Sequence, residues 1–136
     1  MPRYARSARA ALAAFARYHQ IAEKDVESLT FALGEALANA ISHGHCEHDI
    51  EVAFRIDEHA IVATVRDRGP GFAGPFRIEN GDRVPFPHDS SEIGRGLAIM
   101  QRCTDFFDIR SEPGEGTTVT LGRYRRRELQ ERTRAC

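Results

Sequence analysis

The chain has 136 residues, which is long enough to bury a substantial hydrophobic core, and we expect a single domain over residues 1–136. Its formal net charge of -1 excludes a strong overall field that would attract nucleic acid or an anionic membrane. Lys24 is the only lysine, so the Gly-Lys-Ser/Thr triplet of a phosphate-binding loop is absent.

The cysteines and the apolar segments indicate the cellular compartment of the protein. Cys46, Cys103 and Cys136 form neither a CxxC pair nor a zinc-ligand spacing, which predicts a reduced, cytoplasmic protein. The stretch Ala8–Ala16 is interrupted by Arg9 and is too short to cross a bilayer. We therefore expect no signal peptide and no membrane span.

Two helices are predicted at the start of the chain. Residues from about Tyr4 to Tyr18 are rich in Ala, Leu and Arg, a composition typical of a helix. After a break at 20–23, a second helix is predicted from about Lys24 to Ser42, ending near Gly44. Its apolar residues recur at helical spacing: Val26, Leu29, Leu33, Leu37, Ala40 and Ile41.

Two strands are predicted next. Asp49–Ile56 and Ala60–Arg66 alternate or cluster β-branched residues, and residues 57–59 form the turn between them. The second strand ends at Gly69-Pro70-Gly71.

The second half of the chain begins with a long predicted loop, Phe72–Ile93, which contains glycines and prolines and few apolar runs. A loop of this length inside a compact domain is usually functional, and often a lid. A short helix is predicted from Gly94 to about Cys103, followed by strands at Asp105–Arg110 and Thr117–Tyr124. The charged tail, Arg125–Cys136, completes the chain.

The order of these elements predicts the fold class. Strands that pair mostly as hairpins, with the helices gathered on one face, give an α+β two-layer sandwich with a mixed, mostly antiparallel sheet. The alternating pattern of a doubly wound nucleotide-binding fold is absent.

Glu35, Asn39 and His43 recur every four residues and form one stripe of the second predicted helix. Taken alone, such a stripe is more often a solvated polar face. It can also be the wall of a site. The side-chain oxygen of Asn39 is a ligand that suits Mg²⁺, and a carboxylate one turn away can accept a hydroxyl proton in phosphoryl transfer.

Asp67-Arg68-Gly69-Pro70-Gly71 follows a buried predicted strand. An ordinary strand-ending turn uses the same residue types. The functional alternative is a carboxylate that accepts a hydrogen bond from an amino group such as adenine N6, with glycines that let the backbone approach a flat ring.

Two further motifs are weak when taken singly. Gly94-Arg95-Gly96-Leu97 opens a predicted helix, whose free N–H groups favour an anion such as phosphate, although a flexible helix entry is an equal alternative. Gly116-Thr117-Thr118 opens the last strand and, alone, indicates the end of a hairpin.

Together and in this order, the motifs resemble those of the GHKL ATPase superfamily, and most closely its anti-sigma-factor serine kinases, whose ATPase domain is similar to that of histidine kinases. The resemblance covers about Leu29 to Leu121. The matching segments are GEALANAISHG (Gly34–Gly44), VRDRGPGF (Val65–Phe72), GRGLAIM (Gly94–Met100) and GTTVTL (Gly116–Leu121). The family often has a strand before its first helix, and Met1–Arg9 indicates none.

The resemblance implies roles for particular residues. It implies Asn39 as the Mg²⁺ ligand, Glu35 as the catalytic base or the carboxylate that orients the attacking serine, and Asp67 as the adenine-binding carboxylate. The other implied ATP-contacting residues are Gly69, Gly71, Gly94, Arg95, Gly96, Leu97, and Thr117 or Thr118. For His43 the resemblance leaves packing, helix capping and ligand contact open.

The implied function is phosphorylation of a serine on an anti-anti-sigma protein with Mg·ATP, joined to sequestration of a sigma factor. The alternatives are a partner-switching module that binds ATP or ADP without transfer, and the ATPase domain of a histidine kinase. A homodimer is left open. DNA binding through the C-terminal arginines is disfavoured because Glu128 and Glu131 interrupt their charge.

Overall fold

The computed structural model describes residues 3–44, 50–70, 76–79 and 92–125. Their elements are α1 (Arg3–Tyr18), α2 (Glu23–Gly44), β1 (Glu51–Ile56), β2 (Ala60–Asp67), β3 (Phe76–Ile78), α3 (Glu92–Cys103), β4 (Phe106–Glu112) and β5 (Gly116–Tyr124). Both long predicted helices and all four predicted strands are present, with ends that differ by a few residues at most.

The turn between α1 and α2 is closed by backbone hydrogen bonds. The N–H of Ile21 donates to the carbonyl of Ala16 at 3.0 Å, and that of Gln20 donates to Arg17 at 3.0 Å. This pair of bonds is the Schellman arrangement, in which the residue after the helix adopts a left-handed conformation. Gln20 does so with φ of 60°. The chain therefore reverses here, and α2 packs against α1.

The five strands form one sheet in the order β1-β2-β5-β4-β3. Each of its four strand pairs is antiparallel, so the sheet of the described residues is not mixed. β3 corrects the prediction of an uninterrupted loop over Phe72–Ile93, because Phe76–Ile78 pairs with β4 at the sheet edge. Residues 72–75 and 80–91 of that predicted lid lie outside the described residues.

The core lies between the helices and one face of the sheet. Strand residues alternate between the two faces, so every second residue of β2, β4 and β5 is buried under the helices. The buried strand residues of this face include Ile61, Ala63, Val65, Phe107, Ile109, Val119 and Leu121. They meet Leu29, Leu33 and Leu37 of α2. This arrangement confirms the predicted α+β two-layer sandwich.

A buried ion pair ties α2 to β5. The guanidinium of Arg123 donates to Asp25 Oδ1 through Nε at 3.0 Å, and its Nε lies 3.8 Å from Asp105 Oδ2. Arg125 donates to the backbone carbonyls of Asp57 and His19. Both arginines thus serve internal contacts, which further disfavours a DNA-binding cluster at the end of β5. None of the helices in the described part of the chain is long and apolar enough to cross a membrane.

Candidate active site

Glu35 and Asn39 lie one turn apart on α2, and both are partly exposed. Gly96 of α3 lies against the pair. A Cβ on Gly96 would be 3.3 Å from Glu35 Oε2, and 3.6 and 3.7 Å from the side-chain nitrogen and oxygen of Asn39. The absence of a side chain at Gly96 therefore lets the α3 backbone approach the carboxylate and the amide directly.

α3 begins at Glu92, two residues before the predicted start. Gly94 is accordingly the third residue of the helix, and Gly96 lies in its second turn. The first four N–H groups of a helix have no partner within it, and those of Gly94 and Arg95 are among them. Arg95 is exposed.

Asp67 is the last residue of β2 and is 6% exposed. Its Oδ1 accepts the N–H of Gly69 at 3.0 Å, which closes a short turn after the strand. The backbone N–H of Gly69 thereby holds one carboxylate oxygen of Asp67. The turn that the DxG motif forms therefore orients the whole carboxylate.

A cavity of about 370 Å³, part of it open to solvent, lies between α2, α3 and the sheet. Most of its lining is apolar, and the polar contributions come from Asn39, Asp67 and Thr117. The lining residues are Ala36, Asn39, Ala40, Val65, Asp67, Leu97, Ile109, Thr117 and Val119. An apolar cleft with a few convergent polar groups is the usual form of a small-molecule site.

Four of the site residues predicted from the sequence line the cavity. Asn39, Asp67, Leu97 and Thr117 line the cavity, whereas Thr118 pairs with Arg66 and Arg110 on the face of the sheet away from the helices. Of the two threonines left open by the motif, Thr117 is therefore the cavity residue. Gly71 lies outside the described residues, as does the side chain of His43.

The turn between β4 and β5 packs against the Asp67 segment. Gly116 has φ of 98°, and a Cβ there would overlap the backbone of Asp67 and Arg68. The N–H of Gly114 donates to the carbonyl of Pro70 at 2.8 Å. Glycine is required at 116 both for the left-handed φ and for this close approach, which brings Thr117 next to Asp67.

Ser111 is a residue that sequence reasoning missed. It is 1% exposed, and its Oγ accepts a hydrogen bond of 2.9 Å from Thr117 Oγ1. In the strand register Ser111 faces Thr117, which in turn faces Asp67. Ser111 lies one residue past the predicted strand Asp105–Arg110, and the available signal was the alternation of that strand, which places position 111 on the same face as Phe107 and Ile109.

Cys103, at the end of α3, is partly buried. Burial raises the pKa of its thiol; Arg123 acts in the opposite direction, and Glu35 adds to the rise. The thiol therefore stays protonated near neutral pH, in the state that makes it a poor nucleophile.

Comparison with known proteins identifies the class. Residues 1–123 match the family model of the histidine kinase-like ATPase domain. The match spans most of the chain, and the fold and the cavity agree with it. The chain belongs to this ATPase family, as its motifs predicted, and the family implies a site for ATP.

Individual relatives show which kinds of protein within this family the chain is similar to. The chain is 32% identical over 123 residues to the anti-sigma F factor of Anoxybacillus flavithermus, covering 84% of this chain and 80% of the relative. It is 28% identical over 123 residues to the anti-sigma F factor of Bacillus subtilis, covering 86% and 82%. It is also 33% identical over 114 residues to the sensor histidine kinase YxdK of Bacillus subtilis, covering 74% of this chain but 34% of that protein. The similarity to anti-sigma F factors thus extends over at least four fifths of both proteins.

Proposed function

We propose that this protein is a cytoplasmic anti-sigma factor that binds ATP with Mg²⁺ in the cavity and transfers the γ-phosphate to a serine of an anti-anti-sigma protein. The observation that carries the proposal is the convergence of Glu35, Asn39 and Gly96 beside the cavity that Asp67 lines. Similarity to anti-sigma F factors over most of the chain supports the regulatory role.

The lining of the cavity suits an adenine nucleotide in its chemistry, because it is mostly apolar with a few polar groups. Val65, Ile109 and Leu97 provide apolar surface for the faces of a flat base. Asp67 supplies a buried acceptor for an exocyclic amino group, and Gly69 holds that acceptor in position.

The residues beside the cavity suit the phosphate end of the nucleotide. Mg²⁺ takes one or two protein ligands and completes its shell with phosphate oxygens and water, and the amide oxygen of Asn39 is a hard ligand of this kind. When bound, the ion would neutralise charge on the phosphates. The N–H groups of the first turn of α3, together with Arg95, provide further positive potential for them.

Glu35 is the residue that we assign to the transfer step. It lies one turn from Asn39 and is partly exposed, so an incoming hydroxyl can reach it from solvent. Its carboxylate would orient the serine hydroxyl and take its proton as the new P–O bond forms and the bond from the γ-phosphorus to the bridging oxygen breaks, which releases ADP. Gly96, in contact distance of Glu35, keeps the space between the two helices free of a side chain.

Two measurements distinguish the kinase from a partner-switching module that binds nucleotide without transfer. Calorimetric titration with ATP, in the presence and absence of Mg²⁺, tests the nucleotide site. Incorporation of labelled γ-phosphate into a co-purified anti-anti-sigma protein tests the kinase. If ATP and the partner both bind and no phosphate is transferred, the protein is a nucleotide-gated binding module instead.

A further inference from the structure

Three polar residues form a row across the core face of the sheet at one end of the cavity. Asp67 of β2 faces Thr117 of β5, and Thr117 faces Ser111 of β4. Directly opposed residues of antiparallel strands have Cβ atoms about 4.5–5.5 Å apart, so each member of the row is within reach of the next. Asp67 and Thr117 line the cavity, whereas Ser111 lies behind them.

The hydrogen bond between the two hydroxyls determines what Thr117 offers to a ligand. Thr117 Oγ1 donates to Ser111 Oγ at 2.9 Å. A hydroxyl has one proton and two acceptor lone pairs, so a Thr117 proton committed to Ser111 leaves only lone pairs for the cavity. Asp67 is an acceptor as well. This end of the cavity therefore presents acceptors on both strands.

We propose that Ser111 is a positioning residue: by holding the Thr117 hydroxyl proton, it makes the site select nucleotides with a 6-amino group over those with a 6-oxo group. This inference rests on the proposed ATP site. An amino group donates to either acceptor. A carbonyl at the same place faces lone pairs from both, and it leaves buried polar groups without a matching partner.

Loss of the Ser111 hydroxyl releases the Thr117 proton. Thr117 can then rotate its O–H toward the cavity and donate to a 6-oxo group. The discrimination between ATP and ITP is the quantity that changes, because a change that merely loosens the core would weaken both nucleotides alike. Ser111 itself is 1% exposed and is not among the residues that line the cavity, so it acts on a bound nucleotide through residues that do, and Thr117 is its hydrogen-bonded partner there.

The experiment measures the dissociation constants of ATP and ITP by calorimetry for the whole chain and its variants. Ser111→Ala should lower the ratio of the ITP constant to the ATP constant by about 3- to 10-fold, the value of one neutral hydrogen bond. Ser111→Thr keeps a hydroxyl at the same Cβ and should restore the ratio. The matched control is Thr104→Val, which removes another buried hydroxyl, one that donates to the Met100 carbonyl at 2.7 Å. It should change stability and leave the ratio as in wild type.

Thr117→Val tests the same proposal and does not depend on whether Ser111→Ala folds correctly. It removes one of the two acceptors and should also lower the ratio. Adding Ser111→Ala to it should then have no further effect. An unchanged ratio in either single variant overturns the positioning role. Failure of wild-type protein to bind ATP overturns the proposed function itself, and the two failures are therefore distinguishable.

Discussion

Asp67 is the residue on which the chemistry of the cavity depends most, because it is a buried carboxylate at the end of an otherwise apolar cleft. Burial of an acceptor is tolerated when its partners are supplied, and the Gly69 N–H satisfies only Oδ1. A ligand amino group is the natural partner for the remaining acceptor capacity. The DxG motif thus provides both the acceptor and the turn that orients it.

Asp67→Asn tests that assignment. The amide oxygen can still accept the Gly69 N–H, so the turn is kept, but an amide NH₂ replaces the second acceptor oxygen. We expect ATP and ADP binding to weaken by about 1–3 kcal/mol. Calorimetric titration measures this loss. Asp108→Asn, on the opposite face of the sheet, is the charge-matched control and should bind ATP as wild type does. Equal affinity in Asp67→Asn and wild type would exclude Asp67 from the base-binding site.

At the scale of elements, the helical hairpin depends on one residue in an unusual conformation. Gln20 has φ of 60° at the position after α1, where glycine is the usual residue. A left-handed conformation costs a residue with a side chain roughly 1–2 kcal/mol relative to glycine. The two bonds that close the turn are to the Ala16 and Arg17 carbonyls, and neither involves the Gln20 side chain.

Gln20→Gly should therefore stabilise the protein, by about 0.5–1 kcal/mol after the greater flexibility of glycine in the unfolded chain is included. Urea denaturation at constant m-value measures the change. Ala14→Gly is the control, since it places glycine at an exposed position inside α1 and should destabilise by about 1 kcal/mol. Destabilisation by both substitutions would show that the left-handed turn carries no strain.

The turn between β1 and β2 is closed by hydrogen bonds to the side chain of Asp57. Asp57 Oδ1 accepts the N–H groups of His59 at 2.7 Å and Ala60 at 2.9 Å. The bond from His59, followed by that from Ala60, holds the pKa of Asp57 below its ordinary value of 3.8. A carboxylate with a lowered pKa in the folded protein adds stability that is complete above the unfolded pKa and is lost as the pH falls through the folded pKa.

Asp57→Asn should lower the melting temperature near neutral pH, and the difference from wild type should shrink as the pH falls below about 3.8 and vanish below the lowered pKa of the folded protein. Thermal unfolding followed by circular dichroism from pH 7 to pH 2 checks this. Glu58→Gln removes a charge from the same turn without touching the two N–H donors, and its difference from wild type should not show that pH profile. A pH-independent difference for Asp57→Asn would mean that the charge is irrelevant.

Sequence predicted the elements with strong local signals and missed those set by distant partners. The apolar stripe of α2 and the alternation in β2 identify these elements without any knowledge of the rest of the chain. β3 has only three residues, and it exists because Phe76 and Ile78 pair with Ser111 and Ile109, far along the sequence. The start of α3 was missed for a different reason, since the glycines of the motif suggested a helix entry rather than a helix interior.

The same distinction applies to the site. Asn39, Asp67 and Thr117 belong to short motifs whose spacing is visible in the sequence. Ser111 is informative only once the register of β4 against β5 is known, because its significance is that it faces Thr117. The contact of Gly96 with Glu35 and Asn39 likewise depends on how α3 packs on α2, which the motif alone does not specify.

At the scale of the whole molecule, the fold separates base recognition from the chemistry proposed for transfer. Asp67 and Thr117 belong to adjacent sheet strands, whereas Glu35 and Asn39 belong to α2 and meet α3 through Gly96. The cavity connects the two, since Asn39 and Asp67 both line it. A nucleotide would therefore span from sheet to helices, with its phosphate end beside the partly exposed Glu35. A second protein can reach this end from solvent.

This separation predicts that substitutions of Glu35 and of Asn39 impair different steps, phosphate transfer and Mg²⁺-dependent ATP binding respectively. Asn39→Ala removes the proposed metal ligand and should abolish the Mg²⁺-dependent part of ATP binding, and transfer with it. Glu35→Gln keeps the size of the side chain but cannot take a proton. It should bind ATP and capture a sigma factor as wild type does, and transfer phosphate more slowly by about 10²–10⁴-fold.

Incorporation of labelled γ-phosphate into the anti-anti-sigma partner measures transfer, and calorimetry with and without Mg²⁺ measures binding in the same preparations. Glu27→Gln, an exposed carboxylate two turns earlier on α2, is the matched control and should leave both unchanged. Because phosphoryl transfer passes through a loose transition state, positioning of the hydroxyl can count for more than removal of its proton, and the loss in Glu35→Gln would then lie at the lower end of the range. Glu35→Ala separates these contributions, since it removes positioning as well and should be slower than Glu35→Gln. Wild-type rates in both Glu35 variants would exclude the carboxylate from the reaction.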